Sequence, residues 1–391
     1  RAPMPPWKAA GVLSWALQVL AASGESTYAG DRDRRFLDCA VPCEFECANP
    51  SASGRRLPDS GVVRAARDGF YPGYHSNDLG PQGKKAYSKV LQAALQEALG
   101  TPRGRSAPAG AAAEAPGSAA VPAESLPLVL RATRWTCEEN CRYECMIENR
   151  AERRSLGQQE VHYYGKWPFT RVLGVQELFS TLFSLGNGLP YAMLLASWPR
   201  VPWSRASVSW ALHTCTFVNT WIQSAIFHAR ESPLTETLDY HGATLGLTVS
   251  LCVAIGANLP DHWPLQRYVL AAYGPPVAFW MSHVFYLSFV NFDYGHNMKV
   301  AVVLGVIVTL LWLFWAARNW RTKPFAWKLL IAVLGPYTVL PLELLDFPPM
   351  WNLLDAHACW HLGTVPMAFS WCSFVRNHMA FKATAGESKK E

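Results

Sequence analysis

Five polar residues stand at helical spacing inside apolar stretches, and their side chains could do chemistry together. Ser224 and His228 are four residues apart, as are His357 and His361, so each pair shares one helix face. Asp239 follows His228 across the short turn Arg230–Pro233, in which Ser232 and Pro233 suit an N-cap and a first helical position. Three neutral imidazoles with one open position suit a catalytic Zn2+, which activates water and polarises a carbonyl. Asp239 is the candidate to accept the water's proton, and Ser224 to hydrogen-bond the water, Asp239 or a developing oxyanion. A His-x-x-x-His pair alone also suits a structural pair or a haem; haem chemistry has no use for Ser224 and Asp239.

The elements that position these residues are membrane spans. A spanning helix needs ~20 mostly apolar residues. Seven such runs occur, at about Val172–Trp198, Ala206–His228, Leu234–Leu259, Gln266–Val290, Met298–Ala317, Phe325–Leu345 and Trp351–Phe374. The fourth contains Gly274, Pro275 and Pro276, which predicts a kink, and the sixth contains Gly335, Pro336 and Pro341. A re-entrant loop is the alternative for either. If the second, third and seventh helices touch, the five polar residues form one pocket at a common depth.

Composition agrees. Half the 391 residues are hydrophobic, 16% are charged and 17 are Trp, which argues against an ordinary soluble enzyme or a disordered chain. The net charge of +6 arises largely between Arg55 and Arg105, without interleaved aromatics, so no nucleic-acid partner is expected.

Residues 1–24 look like a secretory signal peptide: Lys8, the apolar stretch Ala9–Ala22, then Ala22-Ser23-Gly24 for cleavage, with Met4 as the plausible start. An uncleaved anchor is the other reading. A cleaved signal followed by seven crossings places the N-terminal region in the lumen and the C-terminus in the cytosol. The loop charges agree: Arg200, Arg205, Arg267, Arg318, Arg321, Lys323, Lys328, Arg376, Lys382, Lys389 and Lys390 fall on the cytosolic side, against Arg230 and Lys299 in lumenal loops.

The lumenal region, 25–168, carries Cys39, Cys43 and Cys47, then Cys137, Cys141 and Cys145, each triplet spaced by four. In an oxidising lumen the six suggest three disulfides, and bridges between the triplets are expected, because i,i+4 cysteines point side by side. Connectivity stays open, with a metal or iron–sulfur cluster as the rival. Between the triplets, about 49–127 is an insertion without visible chemistry, ending in the linker-like Gly100–Pro127. A helical membrane domain, 169–376, and a cytosolic tail, 377–391, complete the chain. The expected class is thus an all-α polytopic membrane protein with seven transmembrane helices and a small disulfide-rich lumenal N-terminal region.

Three further acids, Asp293, Asp346 and Asp355, lie at helix starts or in lumenal loops and are expected to cap or orient. Glu177, near the lumenal end of the first span, is a candidate to support the site or bind a cation; an interfacial carboxylate is the alternative. His241 points away from Asp239 on a helix, and His213 and His283 suit core histidines.

The set Ser224-x-x-x-His228, Asp239 and His357-Ala-Cys-Trp-His361 resembles the seven-helix hydrolase superfamily of alkaline ceramidases and adiponectin-type receptors. Gly165-Lys166-Trp167-Pro168-Phe169, Phe292-Asp293-Tyr294-Gly295, Leu344-Leu345-Asp346-Phe347-Pro348-Pro349 and the cysteine triplets resemble more closely the post-GPI attachment to proteins factor 3 family. That resemblance covers roughly Phe36–Cys47 and Trp135–Phe381. It implies a zinc-dependent hydrolase of the phospholipase A2 type, removing the sn-2 acyl chain of GPI-anchored proteins. It also implies membrane lipid as surroundings and a Golgi or endoplasmic reticulum membrane as location. A ceramide amidase on the same metal, and a non-enzymatic receptor or chaperone for anchored cargo, are the competing readings.

Overall fold

The structure, a computed structural model, describes residue 30, residues 33–48 and residues 126–387. The expected signal peptide, most of the expected insertion and the last four residues of the tail lie outside them. The described residues are helical, with two isolated β-bridges and no strand among them. They form two compact units, one ending at Gly174 and one beginning at Val175.

In the first unit α1 (Arg34–Ala48) packs on α3 (Cys137–Ser155), with the short α2 (Leu128–Ala132) before α3. Thr136 and Glu139 close a reciprocal capping box that starts α3. The triplets pair in antiparallel order, Cys39–Cys145, Cys43–Cys141 and Cys47–Cys137, each with Cα atoms 5.7 Å apart. All six thiols are consumed, so the expected inter-triplet bridges are present and an iron–sulfur cluster has no ligands here. Spacing of four on both helices makes the order a ladder: each step along α1 is matched by one step back along α3. Phe36, Leu37, Ala40 and Tyr163 form the small apolar core beside the ladder. Tyr164 and Gly165, both at positive φ, turn the chain between Tyr163 and Lys166, a two-residue hairpin turn that glycine favours. Arg171 lies between the rings of Trp135, at 4.3 Å, and Tyr143, at 3.4 Å, a cation held by two π faces.

The second unit holds α4 (Leu178–Ala196), α5 (Arg205–Ala229), α6 (Pro233–Asn258), α7 (Leu265–Ala272), α8 (Gly274–Phe285), a π-helical turn (Tyr286–Val290), α9 (Tyr294–Asn319), α10 (Ala326–Leu345) and α11 (Ala356–Glu387). Packing closes a circuit: α4 on α5, α5 on α6, α6 on α9, α9 on α10, α10 on α11 and α11 back on α4, with α7 and α8 against α6. Trp210, Trp312, Trp315, Trp371 and Phe374 fill the core at one end, where Trp210 and Trp312 stack at 5.8 Å. His228 closes α5 and His357 opens α11, so the histidines lie at the other end.

Helices occupy all seven expected stretches, but four are long and apolar enough to cross a membrane: α4, α6, α9 and α10. Alpha-helices α5 and α11 have the length, with 25 and 32 residues, but their polar side chains lower their hydropathy. The fourth stretch is divided into α7, α8 and the π turn. Pro275 and Pro276 have no N–H to return to the carbonyls of Ala271 and Ala272, so the helix is interrupted at Tyr273, whose backbone stays helical. The first helix begins at Leu178 rather than Val172, because Leu173 and Gly174 take positive φ. Close approach matters between α10 and α11: a Cβ on Gly363 would lie 2.7 Å from Cγ1 of Val339, so only glycine lets the two helices meet there.

Candidate metal centre

Helix α5 carries Ser224 and His228 on its last two turns, and α11 opens with His357 and His361. Asp355 starts α11 at the required place, its Oδ1 accepting the Ala358 N–H at 2.8 Å. The loop before it folds back through Trp351 and Asn352, both at positive φ, and a bridge between Met350 and Leu354.

The three imidazoles converge on one point. Nε2 of His228 lies 3.4 Å from Nε2 of His357 and 3.2 Å from Nε2 of His361. All three ligand atoms lie within 4.8 Å of one another. Behind them stand carboxylates: Glu177 Oε2 is 2.7 Å from Nδ1 of His228, and Glu343 Oε2 is 2.6 Å from Nδ1 of His357. Backbone geometry holds Glu177, the N-cap of α4, since its N–H donates to the His228 carbonyl at 3.0 Å. Asn187 on α4 donates to the His361 carbonyl at 2.8 Å and ties the third ligand's helix to the same wall.

This arrangement fits a cation better than it fits protons. A carboxylate on Nδ1 takes the N–H there and leaves Nε2 as a lone pair. The His228 Nε2 has one in-plane site and faces two other Nε2 atoms, so one shared proton satisfies one contact and leaves the other repulsive. Two carboxylates behind three neutral imidazoles also leave two negative charges, one of them on Glu177, which is 3% exposed. A divalent cation at the shared point removes both conflicts. His357 is the open side of the group: its side chain is 34% exposed against 5% for His228.

Of the residues singled out from sequence, His228, His357, His361 and Glu177 meet directly. Ser224, one turn below His228, is 5% exposed, and its Oγ lies 3.0 Å from Ser184 Oγ. Asp239 sits half-buried in the second turn of α6, beside Tyr240. The Phe227 ring stands between the two regions, 5.2 Å from His228 and 6.4 Å from Tyr240. Asp293 caps α9 through the His296 N–H, and Asp346 ends α10 in a left-handed conformation. Glu343 and Ser184 were not anticipated. A single acid in the apolar run Leu342-Glu343-Leu344 was a usable signal, because ionisable groups in spans are costly; a serine carries no such signal.

A helical membrane protein whose bundle brings three histidines together, two of them backed by carboxylates, has the side chains of an integral-membrane metal site. A model of the Per1-like family matches residues 127–379, and the chain is a member of that family. It is 39% identical to the Schizosaccharomyces pombe protein PER1 homolog over 275 residues, 68% of this chain and 81% of the relative. The Danio rerio GPI-specific phospholipase A2-like PGAP3 is 38% identical over 64% of this chain and 79% of its own length. The Homo sapiens protein of that name is 33% identical over 67% and 82%. No solved structure matches this chain.

Proposed function

We propose that this protein remodels GPI anchors as a zinc-dependent lipid hydrolase of the phospholipase A2 type, cleaving the sn-2 acyl ester of GPI-anchored proteins. The convergence of three Nε2 atoms backed by Glu177 and Glu343 carries the reading, and relatives named for GPI-specific phospholipase A2-like activity supply the substrate class. The Nε2 separations of 3.2 and 3.4 Å suit nitrogens that share one zinc ion. His228, His357 and His361 would hold the ion, which when bound would supply the Lewis acidity that activates water and polarises the ester carbonyl.

The chain's own groups do the rest. Glu177 and Glu343 fix the tautomer and orientation of His228 and His357. Asp239, across the Phe227 ring from the imidazoles, would accept the proton of the attacking water through a bridging water and return it to the departing lyso-lipid oxygen. Ser224, with Ser184 behind it, donates a hydrogen bond to the oxyanion as it forms. The exposed edge at His357 admits the ester from the lipid side. With the seven crossings expected from the sequence, this end of the bundle would face the lumen of the Golgi or endoplasmic reticulum, the side on which anchored proteins hang.

The decisive experiment measures metal content and lyso-lipid release for purified wild-type and His357→Ala protein. The variant should lose metal and essentially all deacylation. Normal deacylation by His357→Ala protein would end the reading. Release of a fatty acid from ceramide but not from GPI lipid would favour the amidase instead.

A further inference from the structure

A second polar cluster lies away from the metal centre, where α6, α8, the π turn and α9 meet. His283 of α8 is 4% exposed, and its Nε2 is 3.0 Å from Oδ1 of Asn297, which is 7% exposed. Nε2 of His241, on α6, is 3.1 Å from Oγ of the exposed Ser288 in the π turn. His296 completes the group, its ring 5.4 Å from His283 and 4.6 Å from Tyr286. Buried Nδ1 atoms of both His241 and His283 have no hydrogen-bond partner in the structure. Polar atoms so buried are usually satisfied, so these two leave acceptor or donor capacity open to a ligand. A π-helical turn beside them is itself a feature common at functional sites.

The hydrogen-bond roles define the ligand's chemistry. An amide oxygen only accepts, so His283 donates from Nε2 to Asn297. A buried imidazole packed on Phe279 and beside another imidazole stays neutral, and its Nδ1 is then an acceptor. An acceptor requires a donor, which a phosphodiester lacks and a hydroxyl provides. His241, Ser288 and His296 can each donate or accept, as a ring of hydroxyls demands. The rim is apolar and exposed, with Phe285, Phe289 and Val290 at 59%, 77% and 63%, which suits the acyl chains of the same molecule.

We infer that this cluster is a subsite for the polyol headgroup of an inositol-type phospholipid. The inference deepens the proposed function and rests on its lipid substrate, but it concerns recognition rather than cleavage. His283, oriented by Asn297, accepts from one hydroxyl at Nδ1, and His241, oriented by Ser288, meets another at its own Nδ1.

The test uses full-length protein in detergent and non-hydrolysable, short-chain diether lipids, so no turnover enters. Binding of diether phosphatidylinositol is compared with diether phosphatidic acid. Wild type should prefer the inositol lipid by about tenfold, the value of one to two net hydrogen bonds. His241→Phe, at a half-buried position, and Asn297→Leu should each reduce that preference to about two- to threefold or less, with metal content and melting temperature unchanged. Equal binding of the two lipids by wild type, a preference for phosphatidic acid, or a preference untouched in both folded variants would overturn the inference. The outcomes separate from the hydrolase reading: an inositol preference without any lyso-lipid release sinks the enzyme and keeps the subsite, and release without preference does the reverse.

Discussion

Replacing Glu343 by Gln tests the metal centre through a residue that does not itself touch the metal. Glu343 Oε2 lies 2.6 Å from Nδ1 of His357, and the two side chains are 16% and 34% exposed, so solvent screens this pair only in part. A neutral amide keeps the size of the side chain and can still accept through its oxygen. It loses the charge that raises the basicity of the imidazole and half the counter-charge for a divalent ion. Carboxylate partners of metal-bound histidines are worth ~10–100-fold in metal affinity, or about 1.4–2.7 kcal/mol. Zinc competition against a chelator on purified protein should show that loss, while helicity and melting temperature of the metal-loaded protein stay near wild type. Glu177→Gln should act alike through His228, and the deeper burial of Glu177 puts it toward the upper end of the range. If both variants bind zinc as tightly as wild type, Glu177 and Glu343 are structural acids that do not tune the metal centre.

Asp239→Asn should keep zinc yet lose turnover, and Ser224→Ala should retain activity reduced by ~10²–10³; metal content assayed beside lyso-lipid release checks both, and an active Asp239→Asn enzyme would remove Asp239 from the mechanism. Glycosylation acceptors engineered into Asp293–Lys299 should be modified and those in Arg318–Lys328 should not, and the reverse pattern would invert the topology. Loss of one bridge, as in Cys43→Ala with Cys141→Ala, should destabilise the first unit by ~2–5 kcal/mol, read as a lower folding yield. Burial pushes the Asp33 carboxyl up, but its bonds to Arg153 and the Arg35 N–H, with the Arg153 charge, bring it below its ordinary 3.8. The unfolded chain therefore binds that proton first, so Asp33 stabilises the unit above the ordinary value and the contribution fades as pH falls through the lowered one. Hydrogen exchange in Arg34–Ala48 should accelerate in that acid window, and Asp33→Asn should abolish the pH dependence.

How much was legible differs by residue. Spacing of four made the cysteine ladder and both histidine pairs visible, because a helix turns once in 3.6 residues and the sequence carries that period itself. The antiparallel order of Cys39–Cys145, Cys43–Cys141 and Cys47–Cys137 was not visible, because helix direction in space is set by the chain between and by packing. Apolar runs located all seven helical stretches, and the Gly274-Pro275-Pro276 interruption followed from missing N–H donors. Hydropathy does not mark α5 and α11 as spans, since the polar side chains that build the site also dilute it.

Spacing alone pointed to three histidines as candidate ligands, with an upstream serine and an acid beyond a capped turn near them in the chain, all in helices that a membrane would hold. Tertiary structure decided their partners. Glu177 is 51 residues from His228, and Glu343 is 14 from His357 with a left-handed helix end and a folded loop between them. Neither pairing follows a local period, so no spacing rule reveals it. Each exists because α4 packs on α5 and α10 on α11, and those contacts depend on side chains far apart in the chain meeting at once. Local periodicity is written in neighbouring residues; which face meets which is a property of the whole bundle, where burial and charge compensation are satisfied together.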